Sequence, residues 1–575
     1  MSHNRWNLLP SIADASAGST GIPLLIRQLL YNRGITQPSD IETFLAADER
    51  LRGDPAMLPG MHEALARLYR ALLSREKIAI YGDFDADGIT ATALLVQGLS
   101  MLDCEAVPYI PDRINEGYGL KTTALETLRK QGVSLVVTVD CGITAVSEIK
   151  KAGKAGLDII VTDHHVPPEE IPRASAVIDP KLPGSNYPTT ELAGVGVAMK
   201  LLEALFSGLG KADKLEEVID LVALGTVADM VPLLGENRYL VKQGLRILKN
   251  SPRLGIQEIL NQTGLDASNI NSTSISWTIA PRLNAAGRVG NAMNSYRLLI
   301  TDSMEEARRL AEWLEQKNLE RQKLTTQALE KAREQVITQV DQPLLIASDP
   351  GFSAGIIGLV AGRLTEEYYK PVIVIRTGDR YCGGSSRSIP EFNMIEALNK
   401  CSHLLTRFGG HSRAAGLSLY TSNLPLLKQA LLEIAAEELE GVDLRPKIDI
   451  DAETTLPDLG GDTYPTIQKM APFGQGNPVP IFLTRGVQVV SSSTMGSDNS
   501  HLRMKVNQGP MLFDAVGFGL GNYVNEISNL IDIVYNLEMD HWNGQSKLRL
   551  NVLDLQPAAP QSGEMNKERN REVYP

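Results

Sequence analysis

Cysteine is scarce in this sequence, with four in 575 residues. Cys104, Cys141, Cys382 and Cys401 stand far apart and form no CxxC pair. That excludes a disulfide framework and a thiolate zinc site, and leaves them as reduced packing residues. Long apolar runs are missing too. No segment approaches the roughly 18 apolar residues of a membrane span, and residues 1–21 hold no secretory apolar core, so a cytoplasmic protein with no membrane partner is expected. Aromatics make up only 5% of the chain. No GxxxxGK[ST] string occurs, which argues against a P-loop motor. Gly194-Val195-Gly196-Val197-Ala198-Met199 lacks the third small residue of a dinucleotide fingerprint, so no nicotinamide role is inferred. Positive charge is not in surplus: 56 Lys and Arg against 68 Asp and Glu give a net charge of −12. The chain is therefore not one that coats nucleic acid wholesale. A local basic groove remains open, because carboxylates that hold metal ions count in the same tally.

What is present is an ordinary globular composition, 43% hydrophobic and 22% charged, in a chain long enough for two to four domains. Between residues 77 and 180, β-branched runs at 78–81, 106–110, 135–139, 159–162 and 176–178 alternate with helical stretches. That rhythm predicts βαβ units and a parallel sheet. Three runs end in or beside acids, Asp83, Asp140 and Asp163. Ligands of open α/β sheets bind beyond the carboxyl ends of strands, so these acids should converge on one crevice. Ser303-Met304-Glu305-Glu306 reads as a capping box opening one long helix to about Val340, enough to span roughly 50 Å. The βα rhythm then resumes with strands at 344–347 and 372–375. Alternating runs at 482–490, 502–506, 531–537 and 547–553 suggest a β-barrel. The expected division is a helical segment at 1–60, an α/β domain at 61–245, a linker with the long helix at 246–340, a second α/β domain at 341–440, a barrel at 445–556 and a disordered tail at 557–575.

The first chemical motif is Asp83-Phe84-Asp85-Ala86-Asp87-Gly88, three acids at alternate positions after a strand. An EF-hand loop would need a bidentate Glu where Leu94 stands and a preceding helix where a β-run stands, so that competitor fails. Asp140 and Asp163-His164-His165 each follow an apolar strand, and Asp229 ends an apolar helix before Pro232. Singly, such acids are helix caps or turn residues. Together, Asp85, Asp87, Asp140, His164 and Asp229 form an oxygen-rich set with one imidazole, which suits manganese or magnesium better than softer metals.

At these residues the sequence resembles the DHH phosphoesterase superfamily, whose four successive motifs match in order and spacing. The resemblance implies that Asp85, Asp87, Asp140, His164 and Asp229 ligate two divalent ions, Mn²⁺ or Mg²⁺, with Asp140 bridging. It also implies that Asp83 is an additional ligand or supports one, and beside the ligand His164 the catalytic residues expected are His165, to donate to or orient the phosphoryl oxygens, and Asp163, to orient the pair. Tyr81 stands where several relatives carry a ligand histidine. Further stretches are similar to the RecJ branch of that superfamily. Residues 109–120 hold Arg113, which in that branch contacts a DNA 5′ phosphate, and residues 281–288 hold Arg282, Asn284 and Arg288. Ser385, Ser386 and Arg387, together with Gly409, Gly410 and His411, resemble the phosphate-binding elements of a DHH-associated domain. Residues 472–478 resemble the lead into an OB-fold. The resemblance covers about residues 22–555. It implies a parallel-sheet α/β DHH domain joined by a long helix to a smaller α/β domain, plus an OB-type barrel. The function implied is a 5′ to 3′ exonuclease on single-stranded DNA that releases mononucleotides in DNA repair and recombination, a monomer associated with single-strand-binding protein. Two alternatives stay open, a DHH hydrolase of small substrates and a replisome scaffold that has lost its chemistry.

Overall fold

The computed structural model describes residues 4–12, 22–113, 115–250, 253–496, 498–542 and 545–558. The end of the expected tail, 559–575, lies outside them. The chain divides into two compact units, one built from Ala47–Leu444 with Pro472–Asn477, the other from the first 46 residues with Arg445–Ala471 and the residues from Pro478 on.

The larger unit begins with the expected parallel sheet. Its strands are Lys77–Gly82, Ala106–Tyr109, Val133–Val139, Asp158–Thr162 and Ala176–Ile178. Ala106–Tyr109 lies at one edge beside Lys77–Gly82, and the other three follow in chain order. Lys77–Gly82 and Val133–Val139 are thus neighbours, and the strand order reverses at their carboxyl ends, where a crevice opens. Strand alternation divides the burial between two cores. Ile78 and Ile80 join a core that holds the helices Ala86–Ser100, Gly194–Gly208 and Ile219–Ala228, while Ala79 and Tyr81 join a smaller one under Thr122–Lys130 and Val146–Lys154. Tyr81 stacks on Tyr109 with ring centroids 4.8 Å apart and donates to the Gly119 carbonyl, so it is a packing residue of that second core.

The long helix runs Met304–Val336. Its first half buries Leu310, Ala311 and Leu314 in the first core, and its second half buries Ala328, Leu329, Ala332 and Val336 in the core of the second α/β part. Ser303 caps it by accepting from the Glu306 amide at 3.3 Å, but the box is only half formed, because the Glu306 carboxylate takes the Thr301 hydroxyl instead. The second sheet has the order Arg407–His411, Ala414–Tyr420, Tyr381–Arg387, Val372–Arg376, Leu345–Asp349, and only the last two run parallel. Its three antiparallel strands are absent from the sequence expectation, because their glycines read as phosphate loops and not as strands.

In the smaller unit five strands, Phe482–Met495, His501–Gln508, Met511–Gly517, Gln545–Pro557 and Leu530–Trp542, close on themselves through pairing of the first with the last. This is the OB-type barrel; Met511–Gly517 is the strand not foreseen. The first residues are not a purely helical segment, since Arg5–Leu8 pairs in parallel with Lys447–Ile450 and Trp6 donates to Asp554. Among the described residues no helix is long and apolar enough to cross a membrane.

Candidate metal centre and phosphate cleft

Asp83 and Asp140 follow directly on the two strands that flank the reversal of strand order. Asp140 adopts a left-handed conformation, φ 58°, which costs a non-glycine residue energy and is held by its surroundings. Asp85 is the N-cap of Ala86–Ser100 and accepts from the Asp87 and Gly88 amides at 3.1 and 3.2 Å. Asp87, in the first turn, accepts from the Gly194 and Val195 amides at 2.6 and 2.9 Å, so its carboxylate sits on the N-terminus of Gly194–Gly208, where the helix dipole favours negative charge. A Cβ at Gly194 would lie 2.6 Å from Asp140 Cβ and 2.9 Å from Asp87 Oδ2. Asp229 is the C-cap of Ile219–Ala228.

His164 Nε2 stands among three of these acids, 3.0 Å from Asp140 Oδ1, 3.7 Å from Asp229 Oδ2 and 3.9 Å from Asp87 Oδ2. Three groups bring their ligand atoms within 4.8 Å of one another: Asp83, Asp85 and Asp140; Asp87, His164 and Asp229; and Asp140, His164 and His165. Burial, reinforced by mutual repulsion, raises the carboxyls of Asp87 to about 7 and Asp229 to about 9, and pushes Asp83 and Asp140 well above the usual range. Burial, with the neighbouring His165, lowers His164 to about 3 and keeps its imidazole neutral. Asp83 Oδ1 is buried without a hydrogen-bond partner, and among the described residues no Lys or Arg pairs with any of the five carboxylates. Buried anions need a compensating cation, and oxygen donors with one neutral imidazole are the set that a hard divalent ion takes. The residues fit such ions.

Asp163 is fully buried and has four donors, the Ile143, His164 and His165 amides and the His165 Nδ1 at 2.7 Å. Its work is to fix the DHH loop and orient His165. Burial works against protonation of His165, yet the Asp163 carboxylate and the acids beyond it raise its pKa. The other ring nitrogen of His165 makes no hydrogen bond among the described residues, and the ring lines the cleft.

That cleft, about 1210 Å³, runs from His165 past Phe84, Arg113 and Arg288 to the second sheet. Arg113 lies over the Phe84 ring, 4.7 Å from its centroid. Arg387 Nη1 donates to Ser385 Oγ at 3.3 Å and to the Ser386 carbonyl at 2.8 Å. The N-terminus of Ile357–Tyr368 closes in on the same pair: a Cβ at Gly358 would be 3.0 Å from Ser385 Oγ and 3.2 Å from Arg387 Nη2. Burial lowers all three guanidiniums, Arg288 to about 10; repulsion from neighbouring guanidiniums adds to it at Arg288 and Arg387, while Asp83 and Asp85 work against it at Arg113. Clustered guanidiniums at a helix N-terminus make an anion site. Gly409, Gly410 and His411 line the far wall, and Gly410, at φ 140°, would set a Cβ 2.4 Å from the Ala414 carbonyl.

Three residues expected at the phosphate are used elsewhere. Ser386 is buried on the opposite face of its strand and donates to the Ala415 carbonyl, because side chains alternate along a strand. Asn284 accepts from the Ala86 amide at 2.9 Å and so caps the helix that follows Asp85. Arg282 is committed to Glu315 and to the Thr278 carbonyl. Conversely, the Gly194 and Val195 amides were missed, since that stretch reads in the sequence only as a failed nucleotide fingerprint. So was Tyr118, whose hydroxyl lies 3.5 Å from His165 Nδ1. Residues 472–477 form a turn closed between Gly474 and Asn477 and packed on Leu233, just beyond Asp229, and are not part of the barrel.

The chain matches three family models: the DHH family N-terminal domain over residues 77–226, the DHHA1 domain over 341–437 and the RecJ OB domain over 450–554. It is 37% identical to the single-stranded-DNA-specific exonuclease RecJ of Bacillus subtilis, over 92% of this chain and 67% of that protein. Among solved structures it resembles RecJ of Thermus thermophilus in complex with Mn²⁺, with a TM-score of 0.84 and 30% identity over 97% of this chain and 80% of that one. The Mg²⁺ complex from the same source gives 0.78 and 28% over 97% and 79%.

Proposed function

This chain belongs to the RecJ family of the DHH phosphoesterases, and from that premise we propose that it degrades single-stranded DNA from the 5′ end, releasing 5′ mononucleotides in DNA repair and recombination. The observation that carries this reading is the juxtaposition of a buried acidic cluster and an arginine-lined anion cleft, with His165 facing the seam.

Asp85, Asp87, Asp140, His164 and Asp229, with Asp83 beside them, would hold two divalent ions, Mn²⁺ or Mg²⁺; Asp140 groups with Asp83 and Asp85 and, 3.0 Å from His164, also with His164 and His165. Bound there, such ions supply an acidified water and neutralise charge at the scissile phosphate and its leaving oxygen. The protein groups do the rest. His165, protonated and steered by Asp163, donates to a phosphoryl oxygen. Arg113, Arg288, Arg387 and Ser385 with the Ile357–Tyr368 N-terminus seat the terminal 5′ phosphate, which places the next phosphodiester at the acids. One water adds across that bond, its hydroxyl to phosphorus and its proton to the departing 3′ oxygen, and the shortened strand keeps a 5′ phosphate.

The β-barrel favours this over a hydrolase of small substrates, which has no use for a barrel that binds strands. The complete ligand set disfavours a scaffold without activity. The assay is Mn²⁺-dependent release of mononucleotides from a long single strand. Asp140→Ala should lower the rate at least about a thousandfold with the fold intact by circular dichroism; near-wild-type release would overturn the assignment.

A further inference from the structure

The cleft does not stop at the phosphate grip. Its floor is one face of the second sheet, and the register orders that face in rows. Arg387 and Ala414 form the row nearest the metal centre, Ser385 pairs with Gly416 and Gly409 in the next, and Arg376, Gly383, Ser418 and Arg407 lie side by side in the third. Tyr381 and Tyr420 pair in the last. Rows are two residues apart, about 6.8 Å, comparable to one nucleotide of an extended strand. The floor is bare, because a Cβ at Gly383 or Gly409 would meet nothing within 4 Å and one at Gly416 only a carbonyl at 4.0 Å.

The grip for the terminal phosphate occupies the first two rows. The third and fourth are left over, and they carry their own chemistry. Arg376 and Arg407 are exposed, face each other across roughly 14 Å of sheet, and make no side-chain hydrogen bond or ion pair among the described residues. A phosphate above Ser418 and Gly383 lies within reach of both. Beyond them Tyr381 and Tyr420, 48% and 42% exposed, set their rings 5.0 Å apart, with Arg380 over the first at 5.3 Å. Exposed aromatic pairs flanked by guanidiniums stack nucleobases.

We infer that the outer half of this sheet face is a second subsite of the strand, which holds one nucleotide on the 5′ side of the nucleotide gripped at Arg387. Arg376 and Arg407 take its 5′ phosphate and the tyrosine pair takes its base. The row spacing suits a nucleotide step and is too long for the adjacent phosphates of a 5′ triphosphate. A strand whose first linkage cannot be cut therefore slides in by one nucleotide. Water then adds at the phosphorus of the third nucleotide, the bond to the 3′ oxygen of the second breaks with a proton going to that oxygen, and a dinucleotide leaves. This extends the exonuclease reading above and rests on it.

The probe is a 5′-phosphorylated thymidine 20-mer whose first linkage carries a methylene in place of the 3′ bridging oxygen, charged but not hydrolysable, compared with the unmodified strand by mass spectrometry of the first products. The wild-type protein should release the methylene-linked dinucleotide within about tenfold of its normal rate and then mononucleotides. Tyr381→Ala and Arg407→Gln, both exposed positions, should slow that release at least tenfold and leave the unmodified strand unaffected, and removing the 5′ phosphate from the blocked strand should mimic Arg407→Gln. An inert blocked strand, or variants that slow both strands equally, would overturn the subsite. If the unmodified strand itself yields no mononucleotides, the exonuclease reading fails and takes this one with it.

Discussion

Asp87 and Asp229 are held where a carboxylate alone is unwelcome. Their folded pKa values, about 7 and about 9, lie above the unfolded value near 3.8, so the folded protein keeps protons that the unfolded chain gives up. The stability of the metal-free protein therefore falls as pH rises from about 4 through 7 toward 9. A divalent ion reverses that trend but must first displace the protons. In thermal melts, Mn²⁺ should raise the midpoint more at pH 8 than at pH 6, with an apparent affinity at least about tenfold weaker at the lower pH. At a hundredfold excess over Kd the gain would be about 2.7 kcal/mol. Equal shifts at the two pH values would show that these acids are not the ligands.

At the scale of elements, one helix N-terminus organises the centre. Gly194–Gly208 gives two amides to Asp87, and its first residue touches Asp140 where a side chain has no room. Gly194→Ala should cost about 1 to 3 kcal/mol in denaturant melts and abolish the Mn²⁺-induced rise in midpoint, whereas a variant that keeps the full rise would contradict the account. This helix also shows where the sequence fell short. The acids were legible because each follows a strand or helix whose pattern is plain, and so was Ser303, whose cap precedes an unbroken helical run. Strands made of Gly383, Gly384, Gly409 and Gly416 were not, since glycine carries no period-2 signal and reads as turn. Nor could composition say that Arg282 meets Glu315, that Asn284 caps Ala86, or that Ser386 faces inward; each is decided by a neighbour distant in the chain or by strand parity.

Taken whole, the chain carries a surplus of negative charge but gathers guanidiniums in one cleft, so its attraction for DNA is local and directional. A single 33-residue helix contributes to both α/β cores, which fixes the acidic cluster and the phosphate grip within one unit. That fixed offset would decide both product length and polarity. The direct measurement uses two long single strands in Mn²⁺, one with its 5′ end and one with its 3′ end blocked by bound streptavidin, followed to completion with the wild-type protein. Degradation to mononucleotides of the 3′-blocked strand alone is the predicted result. Degradation of the 5′-blocked strand at a similar rate would contradict it.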